Sequence, residues 1–217
     1  MTEDGSTTLF HPGFNEHYHS IHGAVQESRH IFIHEGFEMI PALPVSILEA
    51  GFGTGLNAYL TFLASALKPG TIRYTAIEQY PLEEQIFRSL NYPEILNSSS
   101  AGDFIAMHDA PWNGEIRLSE HFFLHKIKED LCAVRLPDRA YDLVYFDAFS
   151  PAVQPELWTE VIFRKLNRSM KPGAILVTYS VKGSVTRALA AAGFITEKLP
   201  GPPGKREMTR ALKPGNR

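Results

Sequence analysis

Residues 49–55 read EAGFGTG and directly follow the apolar run VSIL. Glycines at alternate positions, Gly51, Gly53 and Gly55, permit a tight turn and let backbone approach a ligand closely. The pattern is G-x-G-x-G, without the G-x-G-x-x-G of dinucleotide sites or the G-K-[ST] of a P-loop. Phosphate is therefore not the expected guest. Glu49 points the same way, because a carboxylate repels phosphate and suits a cationic or hydroxyl-rich ligand. Glu78 ends a second apolar run, where an acid commonly accepts hydrogen bonds from two ribose hydroxyls. Asp130 follows a third run and could receive an adenine amino group. A nucleoside with positive charge and no phosphate at the glycines suggests S-adenosylmethionine, whose sulfonium and amino group suit an acid-rich rim.

The second constellation is YFDAFSPAVQPELW, 145–158. Asp147 stands at the end of a fourth apolar run, before a Pro-containing loop, and is expected to face the ligand crevice beside the reacting methyl group. Phe149 and Pro151 could wall a flat substrate ring. Each residue has a plainer use. Glycine-rich strand-to-helix turns occur without ligands, Glu78 could be a solvated strand-end carboxylate, Asp130 a turn acid, and Asp147 a helix cap. The next helix starts several residues after Asp147, so a cap fits poorly. On reference values an aspartate near ~3.9 is a weak base for an alkyl ammonium near ~10, a gap of about 8 kcal/mol. Asp147 is better suited to orienting an amine and stabilising the positive charge it gains. Burial could bring base action within reach.

The elements that must position these groups alternate. VSILEA (45–50), IRYTAIE (72–78), HFFLHKIKED (121–130), YDLVYFDAF (141–149) and AILVTYS (174–180) read as strands, most of them buried on both faces. NAYLTFLASAL (57–67), PLEEQIFRSL (81–90), PELWTEVIFRKLNRSM (155–170) and VTRALAAA (185–192) have helical spacing, and two of them stop at KPG. RHIFIHEGF (29–37) reads as a strand or hairpin arm, 91–118 as short helices and loop, and FITEKL and REMTRAL as two short strands. Residues 1–13 are polar and expected to be loose. The pattern predicts an open, largely parallel α/β sheet with helices on both faces, binding its ligand at the carboxyl ends of the strands. An N-terminal extension, 1–40, would precede the main domain, 41–217.

The chain of 217 residues has a formal net charge of −3, one cysteine and no apolar run near the ~20 residues of a membrane span. Its start lacks a signal-peptide layout, and one cysteine permits no internal disulfide, so a cytoplasmic protein is expected. Cys132 is expected to be inert packing. Six histidines fall within the first 34 residues, but no cysteine or acid at matching spacing joins them. No metal site is expected. Hydrogen bonding along the crevice edge, with Tyr18 and Ser20, is the expected use of these histidines. From Lys198 onward there are six basic residues (Lys198, Lys205, Arg206, Arg210, Lys213, Arg217) against one acid, Glu207. This tail, with Arg29, Arg164, Lys165 and Arg168, is the candidate contact for an RNA backbone.

The ordered set FNEHYHSIHGAVQESRHIFIHEGF, ILEAGFGTGLN, YFDAFSPAVQPELW, KPGAILVTYS and GPPGKREM resembles the methyltransferase part of the MnmC-type enzymes, from about Phe14 to Met208. The resemblance implies a Rossmann-like class I methyltransferase that N-methylates 5-aminomethyluridine, often 2-thiolated, at the tRNA wobble position in the anticodon stem-loop. It implies that Glu49, Gly51, Gly53 and Glu78 hold S-adenosylmethionine, with Phe52, Gly55, Asn57, Gln79 and Leu131 alongside. Asp130 would lie on the adenine side, Glu27 close to the cofactor, and Asp147 at the reacting amine. Lys205 and Arg206, with Glu207, would sit near the mouth, facing substrate. Bifunctional relatives continue into a flavin oxidase domain that this chain would lack, so its aminomethyl nucleoside would have to come ready-made. Two rivals remain. A polyamine synthase-like aminopropyl transferase shares the glycine loop and both strand-end acids but favours an acid-rich substrate pocket. A catalytically silent RNA-binding module would bind tRNA and transfer nothing.

Overall fold

The computed structural model describes residues 1–41, 43–68 and 70–215. The chain opens with a small antiparallel ribbon, β1 (Phe10–His11) and β2 (Glu16–His17). Helix α1 (Ala24–Ser28) follows and runs straight into a π-helical turn, Arg29–His34. The strand expected at 29–37 is thus helical. The reason lies upstream: Ala24, Val25, Ile31 and Phe32 are all buried, and this spacing from residue 24 onward is helical. The wider turn, in which Glu35 N–H donates to His30 O at 3.1 Å, also brings Ile33 into the core.

The start of the chain is not loose either. Helix α1 has no side-chain cap of its own. Its free amides are met from the N-terminal segment, where Ser6 Oγ accepts from Ala24 N (3.2 Å) and Asp4 Oδ2 from Gln26 N (3.0 Å). Thr2 and Ser6 are buried in consequence.

Next come β3 (Val45–Ala50), α2 (Leu56–Ser65) and β4 (Ile72–Glu78). The helix expected at 81–90 shrinks to one turn, α3 (Glu84–Phe87), and α4 (Tyr92–Ile95) and α5 (Ala101–Asp109) lead on. Strands β5 (Gly114–Arg117), β6 (Phe122–Lys128) and β7 (Tyr141–Phe146) precede a 3-10 turn, Pro155–Trp158, and α6 (Glu160–Ser169). Strand β8 (Met170–Thr178) starts with no intervening loop, so the second KPG lies inside a strand rather than after a helix. Gly173, with φ +81°, absorbs the register shift there. Pro69 of the first KPG lies outside the described residues. Helix α7 (Gly183–Ala191) and the hairpin β9 (Ile195–Pro200) and β10 (Glu207–Leu212) complete the chain.

Eight strands form one sheet in the order β5-β6-β4-β3-β7-β8-β10-β9. The pairs from β6 to β8 are parallel, and β5, β10 and β9 add antiparallel edges. Alternation along the central strands sends Ile47 and Tyr145 to one core, with α1 and α2, and Leu48 and Phe146 to the other, with α6 and α7. Helices therefore cover both faces. Strand order reverses between β3 and β7, so the crevice opens at their carboxyl ends.

Candidate cofactor and substrate cavity

Strand β3 delivers the glycine loop to that crevice. Gly51 has φ +92°, and a Cβ there would lie 2.7 Å from the Asp147 carbonyl oxygen. Only glycine lets the ends of β3 and β7 come this close, and Asp147 N–H donates to Ala50 O at 3.0 Å across the gap. Gly51 N–H and Phe52 N–H both donate to Ile77 O, which ties the loop to β4. Glu78, the last residue of β4, clasps it: Oε2 accepts from Gly53 N (2.9 Å) and Oε1 from Tyr80 N (2.9 Å). Each oxygen keeps a lone pair for another donor.

Asp147 sits at the end of β7, partly buried. Asn57, on the first turn of α2, donates its amide to Asp147 Oδ2 at 2.8 Å. Burial pushes the Asp147 carboxyl up to about 7; Asn57 opposes the rise, Glu27 adds to it and Lys205 counters it. Glu27 is buried on α1, accepts from Ser20 N at 2.9 Å, and is ion-paired with Lys205. Lys205 comes from the turn between β9 and β10, its ammonium 4.4 Å from the centre of the Tyr179 ring.

The loop after β7 is fixed from several sides. Phe149 N–H donates to Gln154 Oε1 (3.2 Å), Trp158 Nε1 donates to Phe149 O (2.7 Å), and Ser150 N–H donates to Glu16 Oε2 (3.0 Å). The Phe149 ring packs 4.9 Å from both Phe14 and Tyr18 and 5.5 Å from His11. The N-terminal ribbon thereby becomes an aromatic wall of the cavity.

The cavity has a volume of about 320 Å³. Among the sequence-predicted residues, Glu27, Gly51, Phe52, Gly53, Asn57, Glu78, Gln79, Asp130, Leu131, Asp147, Phe149 and Lys205 line it. Asp130 also starts a turn, its Oδ1 accepting from Cys132 N at 2.8 Å. Four predicted residues lie outside the lining. Gly55, with φ +72°, starts α2 behind the loop. Pro151 and Arg206 line an adjoining notch. Glu49 is fully buried between the sheet and its helices, neither oxygen has a hydrogen-bond partner, and burial raises its carboxyl well above the usual range. It lies beneath the cavity, because its place on β3 puts its side chain on the Ile47 face.

Phe14, Glu16 and Tyr179 also line the cavity without having been singled out as site residues. For Tyr179 the signal existed, since it follows β8 at the carboxyl edge of the sheet. Phe14 and Glu16 stand in the first of the resembling motifs, but no apolar period or strand end marks them, because their segment reaches the site only through tertiary packing. Cys132 is exposed rather than packed; its neighbours Leu131 and Val134 take the buried positions. Among the described residues, no cluster of three or more His, Cys, Asp or Glu is arranged to hold a metal, and no helix is long and apolar enough to cross a membrane.

Residues 108–214 match a family profile described as S-adenosyl-L-methionine-dependent methyltransferase. The chain superposes on the crystal structure of MNMC2 from Aquifex aeolicus with a TM-score of 0.76, at 25% identity, covering 99% of this chain and 70% of that one. Over that stretch and in its fold, the chain is similar to the S-adenosyl-L-methionine-dependent methyltransferases. The chain is also 33% identical over 224 residues to the tRNA 5-methylaminomethyl-2-thiouridine biosynthesis bifunctional protein MnmC of Aromatoleum aromaticum, covering 97% of this chain and 34% of that protein. The namesake protein of Aeromonas hydrophila is 34% identical over 218 residues, 90% of this chain and 32% of that one. The chain thus spans about a third of the length of these curated relatives. A spermidine synthase complexed with AdoDATO superposes with a TM-score of 0.64 at 16% identity, a likeness of fold.

The donor set fits the cofactor. The chain presents a backbone cradle that a Cβ at Gly51 would fill, and Glu78 oxygens with lone pairs to spare. Glu27, Asp130 and Asp147 supply further carboxyl groups around the cavity, with Lys205 already neutralised by Glu27. Glu78 would hold the ribose hydroxyls, Asp130 the adenine side, and the glycine loop the amino-acid end.

Proposed function

We propose that this chain transfers the methyl group of S-adenosylmethionine to the amine of 5-aminomethyl(-2-thio)uridine at the tRNA wobble position, in the cytoplasm, giving the 5-methylaminomethyl form. The observation that carries this reading is Asp147: a carboxyl group raised to about 7, hydrogen-bonded to Asn57, at the reversal of strand order and beside the aromatic Phe149 wall. The names of the MnmC relatives support the choice of substrate.

When bound, the cofactor supplies an electrophilic methyl group on a positively charged sulfur. The chain's own groups do the rest. An amine attacks only when neutral, and an alkyl ammonium titrates near ~10. Against Asp147 at about 7 the gap is about 3 units, or about 4 kcal/mol, half of what reference values give. Asp147 can therefore take the amine proton at a modest cost as well as hold the amine in place. Phe149, Phe14 and Tyr18 offer rings against which a base can lie, and well-oriented reactants lower the barrier by roughly 7–11 kcal/mol. The direct test incubates labelled cofactor with tRNA from cells lacking this protein and follows the nucleosides by mass. Label in 5-methylaminomethyl nucleosides is expected; label transferred to no tRNA nucleoside would refute the proposal.

A further inference from the structure

The six basic residues of the tail look alike in the sequence, but the fold sorts them. Lys198 pairs with Glu207 at 2.7 Å, Lys205 with Glu27, and Arg210 with Glu35 and Glu197. Lys213 Nζ is spent on the carbonyls of Asn167 and Met170. Arg217 lies outside the described residues. The other candidates on α6 are engaged as well: Arg164 with Glu160, Arg168 with Asp138, and Lys165 with the carbonyls of Leu131 and Cys132. Arg206 is the tail cation that forms no ion pair among the described residues, and it is exposed.

Arg206 does not stand alone. It lines a notch of about 570 Å³ with Lys182, also exposed and also without an ion pair among the described residues. Lys182 stands at the N-cap position of the nine-residue helix α7, whose dipole adds positive potential there. The one carboxylate in the notch, Glu207, is already neutralised by Lys198. Ser150, Tyr179 and Lys205 line both the notch and the main cavity, so the two spaces share a wall and adjoin. A wall of Ser150, Tyr179 and the Glu27-paired Lys205 thus stands between the Asp147 cavity and a pair of uncompensated cations.

We propose that this notch binds a backbone phosphate of the RNA, flanking the nucleotide whose base enters the main cavity, with Lys182 and Arg206 as its cations. This deepens the proposed function and rests on it. A phosphodiester fits because its charge meets two unpaired cations while its sugar spans the shared Ser150–Tyr179 wall. The same cations would meet a free phosphate, and the test separates the two sources.

Lys182→Glu, Arg206→Glu and the double variant are compared with the wild type for tRNA affinity across a salt series. Arg135→Glu, an equal charge change at an exposed site elsewhere, is the control. Thermal melts and cofactor titration check that every variant is folded. Losing the one phosphate contact should reduce the log–log salt slope by about 0.7–0.9, so the double variant should fall short of wild type by that amount and bind tRNA about tenfold more weakly at low salt. The control should keep the wild-type slope. A double variant with the wild-type slope overturns the notch. Inorganic phosphate that occupies the notch without displacing tRNA assigns it to a free anion and likewise overturns it. If the wild type methylates tRNA while the double variant keeps its slope, the notch alone fails. If the wild type methylates no tRNA, the proposed function fails and takes the notch with it.

Discussion

The chemistry of a single carboxyl group decides most at the residue scale. Asp147 is raised to about 7 by burial, so it is largely protonated below that pH and ionised above it. If it serves the amine as carboxylate, turnover should rise through pH 7 in wild type and lose that limb in Asp147→Asn. Asp147→Ala should lower kcat by about 10²–10³, the usual loss for an electrostatic stabiliser, with cofactor affinity changed little. Single-turnover assays and calorimetry read the two separately. Stability should respond with the opposite sign. A carboxyl whose folded pKa lies above its unfolded value of 3.8 loses stability as pH rises from about 4 to about 7. Asp147→Asn should therefore melt higher than wild type at pH 8, by at most about 4 kcal/mol, and show no such gain at pH 4. Glu49 was legible as an acid near the glycines. That it is buried beneath them, with its carboxyl pushed well above the usual range, was not, because its burial comes from helices distant in sequence.

At the scale of elements, the glycine loop works as the joint between β3, β4 and β7. Gly51→Ala combines φ +92° with a contact to backbone that cannot move aside, so a loss of about 1–3 kcal/mol in urea melts and weaker cofactor binding are expected together. Helix α1 depends on residues far from it in sequence. Asp4→Ala removes acceptors for Gln26 N and Ser6 N, and should cost about 0.5–2 kcal/mol of stability, seen in the same melts. A strand at 29–37 is wrong because Ile31 to Ile33 look β-like alone, whereas the buried spacing that begins at Ala24 is helical. The KPG at 171–173 reads as a stop because proline and glycine usually end helices; here they form a strand kink.

Across the whole molecule, the two ends of the chain meet at the site. Glu27 comes from the first helix and Lys205 from the last hairpin, and both act on Asp147. Lys205→Met removes a cation that lowers the Asp147 pKa and should move the ascending limb of the pH–rate profile to higher pH. Glu27→Gln should move it to lower pH. Lys205→Met should also destabilise by about 3–5 kcal/mol, since it strands a buried carboxylate, and the loss should shrink in the double variant. A double-mutant cycle of melting and pH–rate profiles checks both effects.

By itself the sequence determined the alternation of strands and helices, the sheet they build, and the acids that end its strands. These are local properties: apolar period, glycine spacing and strand-end position are written in contiguous residues. Only the tertiary structure decided which charges remain available. Burial of Glu49, elevation of Asp147, pairing of Lys205 with Glu27 and the lack of an ion-pair partner for Arg206 among the described residues all depend on groups brought together from distant positions. Charge interactions act through space, so residues read in order do not contain them.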